Sequence, residues 1–121
     1  VCAMLEGALR ARGLRVGKYT SPHLVDFRER FLVDGRPVPD ERIAAWLERH
    51  TPLVEAHGAT FFEATTAMGF QLFAEAGVEV AVIETGLGGR LDATNVVQPL
   101  VAGVTGIGLD HTDWLGTTRE A

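Results

Sequence analysis

The chain has 121 residues, 46% of them hydrophobic, which suits one small domain or a piece of a larger one and argues against a disordered chain. Its net charge of −5, from 11 basic and 16 acidic residues, argues against nonspecific nucleic-acid binding, which rests on neutralising phosphates. Cys2 is the only cysteine, so no internal disulfide forms, and no apolar run reaches the roughly 18 residues of a membrane helix. The reading is a cytoplasmic protein with no membrane and no nucleic-acid partner. The chain opens on Val-Cys-Ala-Met without a signal-peptide pattern or an initiator Met, which hints at a start further upstream.

Residues 2–12 place Met4, Leu5, Ala8 and Leu9 at helical spacing, with Arg10 and Arg12 near the end and Gly13 as the stop. Cys2 is expected as a small core residue of this helix. Residues 15–19 read as a short strand, broken at Thr20-Ser21-Pro22-His23, where the proline lacks an N–H and holds Ser21 extended. Residues 31–35 read as a strand entering a turn. Pro39-Asp40 announces a helix with Asp40 as its N-cap and Ile43, Trp46 and Leu47 as its apolar stripe, interrupted at Thr51-Pro52.

Residues 62–76 are apolar or small on most sides, as in a helix buried on more than one face, with Gly77 as its end. Residues 78–83 form the strongest strand signal, with too little polar alternation for a one-sided sheet. Residues 100–107 read as a second buried strand leading into Leu109-Asp110-His111. Helices alternating with buried strands give a layered α/β fold with a mostly parallel sheet.

In such sheets ligands bind beyond the C-terminal ends of the strands. Three polar clusters are expected there: Thr20 to His23, Glu84, and Asp110-His111. Glu84 follows an apolar run, and a carboxylate in that position needs pairing, hydration or a metal. The plainer reading is a helix cap or an ion pair with Arg90. The loop Gly86-Leu87-Gly88-Gly89 admits close backbone approach but is neither a dinucleotide fingerprint nor a phosphate loop of the Gly-Lys-Ser/Thr kind. Asp92 is either a ligand contact or the organiser of its own turn. His111 is either a metal ligand or a local hydrogen-bonding residue, and Phe61-Phe62 lines an aromatic pocket or is ordinary core.

Four segments in order carry a resemblance: Tyr19–Leu24 (YTSPHL), Thr60–Glu63 (TFFE), Glu84–Asn95 (ETGLGGRLDATN) and Gly108–Gly116 (GLDHTDWLG). Together they resemble the dihydrofolate synthase/folylpolyglutamate synthase family of the Mur ligase superfamily. The resemblance implies a P-loop NTPase-like layered fold, incomplete at both ends. Residues 1–121 would be part of the central ATP-binding domain, without the phosphate loop and the C-terminal domain. It implies a monomeric ATP-dependent ligase in which a carboxylate of dihydropteroate or a reduced folate becomes an acyl phosphate. The amino group of L-glutamate then attacks it, with Mg²⁺ stabilising phosphoryl charge.

Carried over residue by residue, Ser21, Glu84 and His111 match the metal positions, with Glu84 and His111 catalytic. Thr20, Pro22 and His23 match the folate-side loop, and Phe62, Asp92 and Ala93 the pterin side. The nucleotide-binding residues are not assigned. The family's Gly-Thr-Asn-Gly-Lys-Gly-Ser loop does not occur in this sequence, nor does its downstream, often carbamylated lysine. Arg28, Phe31 and Gly106 depart from the commoner Asn, Ile and Ser. The isolated chain is therefore expected to be inactive. The competing readings are a noncatalytic folate- or nucleotide-binding module and another Mur-type amino-acid ligase.

Overall fold

A computed structural model describes residues 1–119, so the last two positions of the expected domain lie outside the described residues. Helix α1 (Cys2–Ala11) leads into strand β1 (Val16–Tyr19), and a 3-10 turn (Phe27–Arg30) feeds the hairpin of β2 (Phe31–Val33) and β3 (Arg36–Pro37). Two long helices follow, α2 (Asp40–His57) and α3 (Phe61–Glu75), and then β4 (Val80–Ile83). Beyond it lie a 3-10 turn (Ala93–Val96) and the short α4 (Thr112–Leu115).

The sheet runs β3-β2-β1-β4. Strands β1 and β4 are parallel, with Val16 opposite Val80 and Tyr19 opposite Ile83. The hairpin side is antiparallel, Tyr19 facing Phe31 and Leu32 facing Pro37. The α/β class stands, and the sheet is mixed rather than mostly parallel. The reason is local: Asp34-Gly35 at the hairpin tip have positive φ, which returns the chain within two residues instead of through a crossover helix.

One face of the sheet carries the core. Tyr19, Phe31, Val38, Ile43, Trp46, Met68, Leu72 and Phe73 form one buried cluster between sheet, α2 and α3. Tyr19 buries its ring and shares hydroxyl hydrogen bonds with Thr65 (3.3 Å) and Thr66 (3.0 Å), so its polar tip is satisfied inside the core. Trp46 donates its indole N–H to Gln71 Oε1 at 3.0 Å, tying α2 to α3.

Four local expectations change. The N-cap of α2 is Pro39 and Asp40 is its first helical residue, with no side-chain cap, because Pro39 already has the extended φ and ψ a cap requires. The helix also runs through Pro52 to His57. Pro52 removes one backbone donor, but Thr51 Oγ1 donates to Leu47 O at 2.6 Å and the buried Ile43 and Trp46 hold the helix on the core. Residues 100–107 form no strand, and Leu100, Val101 and Val104 are more than four-fifths exposed. An apolar run becomes a strand only beside a ladder partner, and β4 pairs with β1 alone.

The fourth change is in α1, where Met4, Leu5 and Ala8 face outward and Glu6 faces the sheet. Glu6 is buried because Lys18 on β1 meets it, Nζ to Oε2 at 2.8 Å. Glu6 Oε1 has no hydrogen-bond partner among the described residues. Cys2 is half-buried, and burial pushes its thiol up, with the Glu84 carboxylate adding to the effect.

Candidate functional site

Strands β1 and β4 end side by side, and their first residues beyond the ladder are the expected polar ones. The backbone N–H of Glu84 still donates to Tyr19 O at 2.9 Å, which extends the parallel register by one bond. Glu84 then turns its side chain back, and Oε2 accepts the N–H of Ser21 at 3.0 Å. Ser21 and Glu84 are thus brought together from positions 63 residues apart, and the plainer pairing of Glu84 with Arg90 is not present among the described residues. Glu84 Oε1 and Ser21 Oγ take no hydrogen bond among the described residues, which leaves two oxygen donors of the kind a hard divalent cation uses.

The loop after Glu84 is shaped by Asp92. Its Oδ2 accepts the N–H groups of Gly86 (3.0 Å) and Leu87 (2.8 Å), and its Oδ1 accepts from Thr94 N (2.9 Å) and Oγ1 (2.5 Å). Burial pushes the Asp92 carboxyl up, but hydrogen bonds from the Thr94 side chain and N–H, then from Leu87 and Gly86, outweigh it and hold the group below its ordinary 3.8. Of the two readings open for Asp92, the turn organiser is the one the hydrogen bonds describe. Ala93, half-buried, starts the short 3-10 turn that Asp92 caps.

Glycine is required twice in this loop. A Cβ on Gly86 would run into the ring of Phe62, and Gly88 has φ +66 with Leu115 lying over it. Phe62 is therefore half-buried between the glycine loop and Tyr19, whose ring centroid is 6.2 Å away. Phe61 is 62% exposed and packs instead on Phe27, at 6.1 Å.

Leu115 brings the turn of α4 against the glycine loop, but the expected third strand end is absent because residues 100–107 are not a strand. His111 is the N-cap of α4 in the left-handed region (φ 48, ψ 44), an exposed residue whose N–H donates to Asp110 Oδ1 at 2.8 Å. No hydrogen bond joins it to Ser21 or Glu84 among the described residues. No group of three His, Cys, Asp or Glu residues able to hold a metal occurs there either. The donor chemistry thus fits a cation at Ser21 and Glu84, with His111 on the segment whose Leu115 lies over Gly88.

The loop from Thr20 to His23 is held from behind. Thr20 N donates to Arg30 O at 3.3 Å. Glu29 gathers the N–H groups of Leu24, Val25 and Asp26 at 2.8, 3.0 and 2.7 Å, which pulls its carboxyl below the ordinary 4.5. Asp26 receives the Arg28 guanidinium and N–H and is lowered to about 2. Pro22 sits exposed at the cis Ser21-Pro22 bond, and Leu24 and Val25 form an exposed tip. Sequence reasoning missed this scaffold. Its signal was the Asp26-x-x-Glu29 spacing, a capping box, repeated at Thr60-x-x-Glu63 before α3. A cleft of about 690 Å³ lies at the opposite end of β1, beside Arg15 and Asp34, and none of the expected site residues lines it.

No protein-family model matches the chain. It is 46% identical over 123 residues to the dihydrofolate synthase/folylpolyglutamate synthase of Escherichia coli K12, covering 99% of this chain and 28% of that relative. It is 49% identical over 118 residues to a probable bifunctional folylpolyglutamate synthase/dihydropteroate synthase of Halobacterium salinarum, covering 93% of this chain and 14% of the relative. The fold agrees with a solved structure of E. coli FolC in complex with DHPP and ADP, with a TM-score of 0.89 and 47% identity over 98% of this chain and 29% of that one.

The chain belongs to the dihydrofolate synthase/folylpolyglutamate synthase family. It spans less than a third of the length of these relatives. A further solved member, a bifunctional folylpolyglutamate synthase/dihydrofolate synthase with Mn, AMPPNP and L-glutamate bound, has a TM-score of 0.84 and 45% identity over 98% of this chain and 29% of that one. Among the described residues no helix is long and apolar enough to cross a membrane.

Proposed function

We propose that the protein carrying this chain is an ATP-dependent acid–amino-acid ligase that joins L-glutamate to dihydropteroate or to a reduced folate. The observation that carries the reading is the Ser21 N–H held on Glu84 Oε2, which fixes two oxygen donors at adjacent strand ends. Support comes from the relatives: one solved member holds DHPP and ADP, and another Mn, AMPPNP and L-glutamate. The protein is read as cytoplasmic and monomeric.

The carboxylate of the acceptor is a poor electrophile, and phosphorylation by ATP converts it to an acyl phosphate with phosphate as the leaving group. The amine of glutamate attacks the acyl carbon, the acyl C–O bond breaks, and an amide and phosphate are released with ADP. Ser21 Oγ and Glu84 Oε1 would hold a divalent cation, Mg²⁺ in the cell, with His111 as a third ligand. When bound, that ion offsets the charge that builds on phosphoryl oxygens. This chain's part is to place Glu84 and Ser21 rigidly, Glu84 through β4 and Ser21 through β1. Phe62 and Ala93, beside the loop shaped by Asp92, form the wall assigned to the pterin, and Thr20, Pro22 and His23 the loop facing the acceptor.

The test is an ATP- and glutamate-dependent ligation assay on the whole protein with dihydropteroate and tetrahydrofolate compared. Glu84→Gln keeps an oxygen that accepts the Ser21 N–H but removes the charge. Turnover should fall by at least about 100-fold, as for loss of a catalytic electrostatic group, with the folded state retained by circular dichroism. Wild-type turnover in this variant would remove the metal assignment.

A further inference from the structure

Arg30 is 6% exposed, and among the described residues its guanidinium makes no ion pair with a carboxylate. The carboxylates nearest it along the chain are otherwise engaged: Asp26 holds Arg28, and Glu29 holds three backbone N–H groups. A buried cation without a counter-charge is costly, so its remaining contacts decide what it does. Its carbon lies 5.9 Å from the Phe27 centroid and 5.3 Å from that of Phe61, both within cation–π range. Its Nε donates to His23 Nδ1 at 2.8 Å.

That last bond has a chemical consequence. An arginine N–H only donates, so His23 Nδ1 must present a lone pair, and the imidazole proton sits on Nε2. Phe27 fixes the plane of the same ring edge-on, with centroids 5.7 Å apart and planes at 84°. Nε2 takes no hydrogen bond among the described residues, and His23 is partly exposed on the loop that begins at Thr20. The guanidinium thus turns a ring that can donate or accept into a donor of fixed direction.

We propose that Arg30 is a positioning residue that locks His23 as the Nε2–H tautomer, so that the loop offers a hydrogen-bond donor to a carboxylate or carbonyl oxygen of the acceptor substrate. This rests on the reading of Thr20–His23 as the acceptor-side loop. The Arg30 cation touches no ligand itself. It acts through His23, with Phe27 and Phe61 in place of the missing carboxylate.

The test uses the whole protein with ¹⁵N-labelled histidine, the His23 signals being assigned by their loss in His23→Gln. Near neutral pH the wild type should carry the His23 proton on Nε2 alone, and Arg30→Met should give a mixture of tautomers. In the ligation assay Arg30→Met should raise KM for the acceptor about tenfold, the size of one lost oriented hydrogen bond, with kcat and KM for ATP changed by less than about threefold. In a His23→Ala background the same substitution should change KM by less than about twofold, because its route of action is gone. A proton on Nδ1 in the wild type overturns the proposal, and so does an undiminished Arg30→Met effect in the His23→Ala background. The wild-type tautomer is read without any variant, so failure of Arg30→Met to fold leaves the test intact. If the protein ligates nothing, the proposed reaction falls, and the tautomer still decides whether Arg30 orients His23.

Discussion

Asp92 gathers four donors from three residues, three backbone N–H groups and one hydroxyl, all within six positions of it along the chain. Asp92→Asn replaces one accepting oxygen by an amide that cannot accept, leaving either the Gly86–Leu87 or the Thr94 donors unmatched. The expected loss is about 1–3 kcal/mol in denaturant unfolding of the whole protein, with glycine-loop amides exchanging faster. An unchanged midpoint would show that the loop does not depend on that carboxylate. Gly86→Ala belongs to the same scale. Its methyl meets the Phe62 ring, so overpacking should cost about 1–3 kcal/mol, and Gly86→Ala with Phe62→Leu should recover part of it.

At the level of elements, capping and acid sensitivity go together. Asp26, Glu29 and Glu63 all sit below their ordinary values, Asp26 through Arg28, Glu29 through the N–H groups of Leu24, Asp26 and Val25, and Glu63 through the N–H and hydroxyl of Thr60. A carboxyl depressed by folding binds fewer protons folded than unfolded, so its stabilisation is complete above the ordinary value and is lost as pH falls through the folded one. The window runs from 4.5, the ordinary Glu value, down to about 2, where folded Asp26 titrates. Unfolding followed by circular dichroism should therefore show stability falling as pH drops through this range, with a shallower slope in Glu29→Gln. Thr60→Ala removes one half of the α3 capping box and should cost about 1 kcal/mol. Pro52 lies well inside α2, so Pro52→Ala should raise the thermal midpoint by restoring a backbone donor; a lower midpoint would mean that Pro52 packs usefully where it stands.

For the molecule as a whole, the apolar surface left uncovered is the dominant feature. Met4 is 79% exposed, Trp114 81% and Leu100 92%. Large apolar side chains left this exposed are often covered by another part of a protein or by a partner. Residues 1–121 alone should therefore associate with rising concentration in sedimentation velocity, and Met4→Glu with Leu5→Lys should reduce it. A monodisperse monomer of the unaltered chain at high concentration would contradict this.

The sequence by itself determined the elements whose neighbours are close along the chain. The 78–83 strand, the 62–76 helix and the Asp34-Gly35 turn are legible because apolar runs, helical spacing and positive-φ residues act locally. It also placed Ser21 and Glu84 at strand ends, and the long glycine and Asp110-His111 motifs carried the family. Only tertiary structure decided which apolar runs are buried. Met4 and Leu5 lie outside while Glu6 lies inside, because burial follows the available partner, and Lys18 supplied one for a carboxylate. Residues 100–107 have the composition of a strand and no ladder to join. The buried Arg30 was hidden for the same reason: its partners, an imidazole and two aromatic rings, converge only when the loop, the 3-10 turn and the start of α3 fold together.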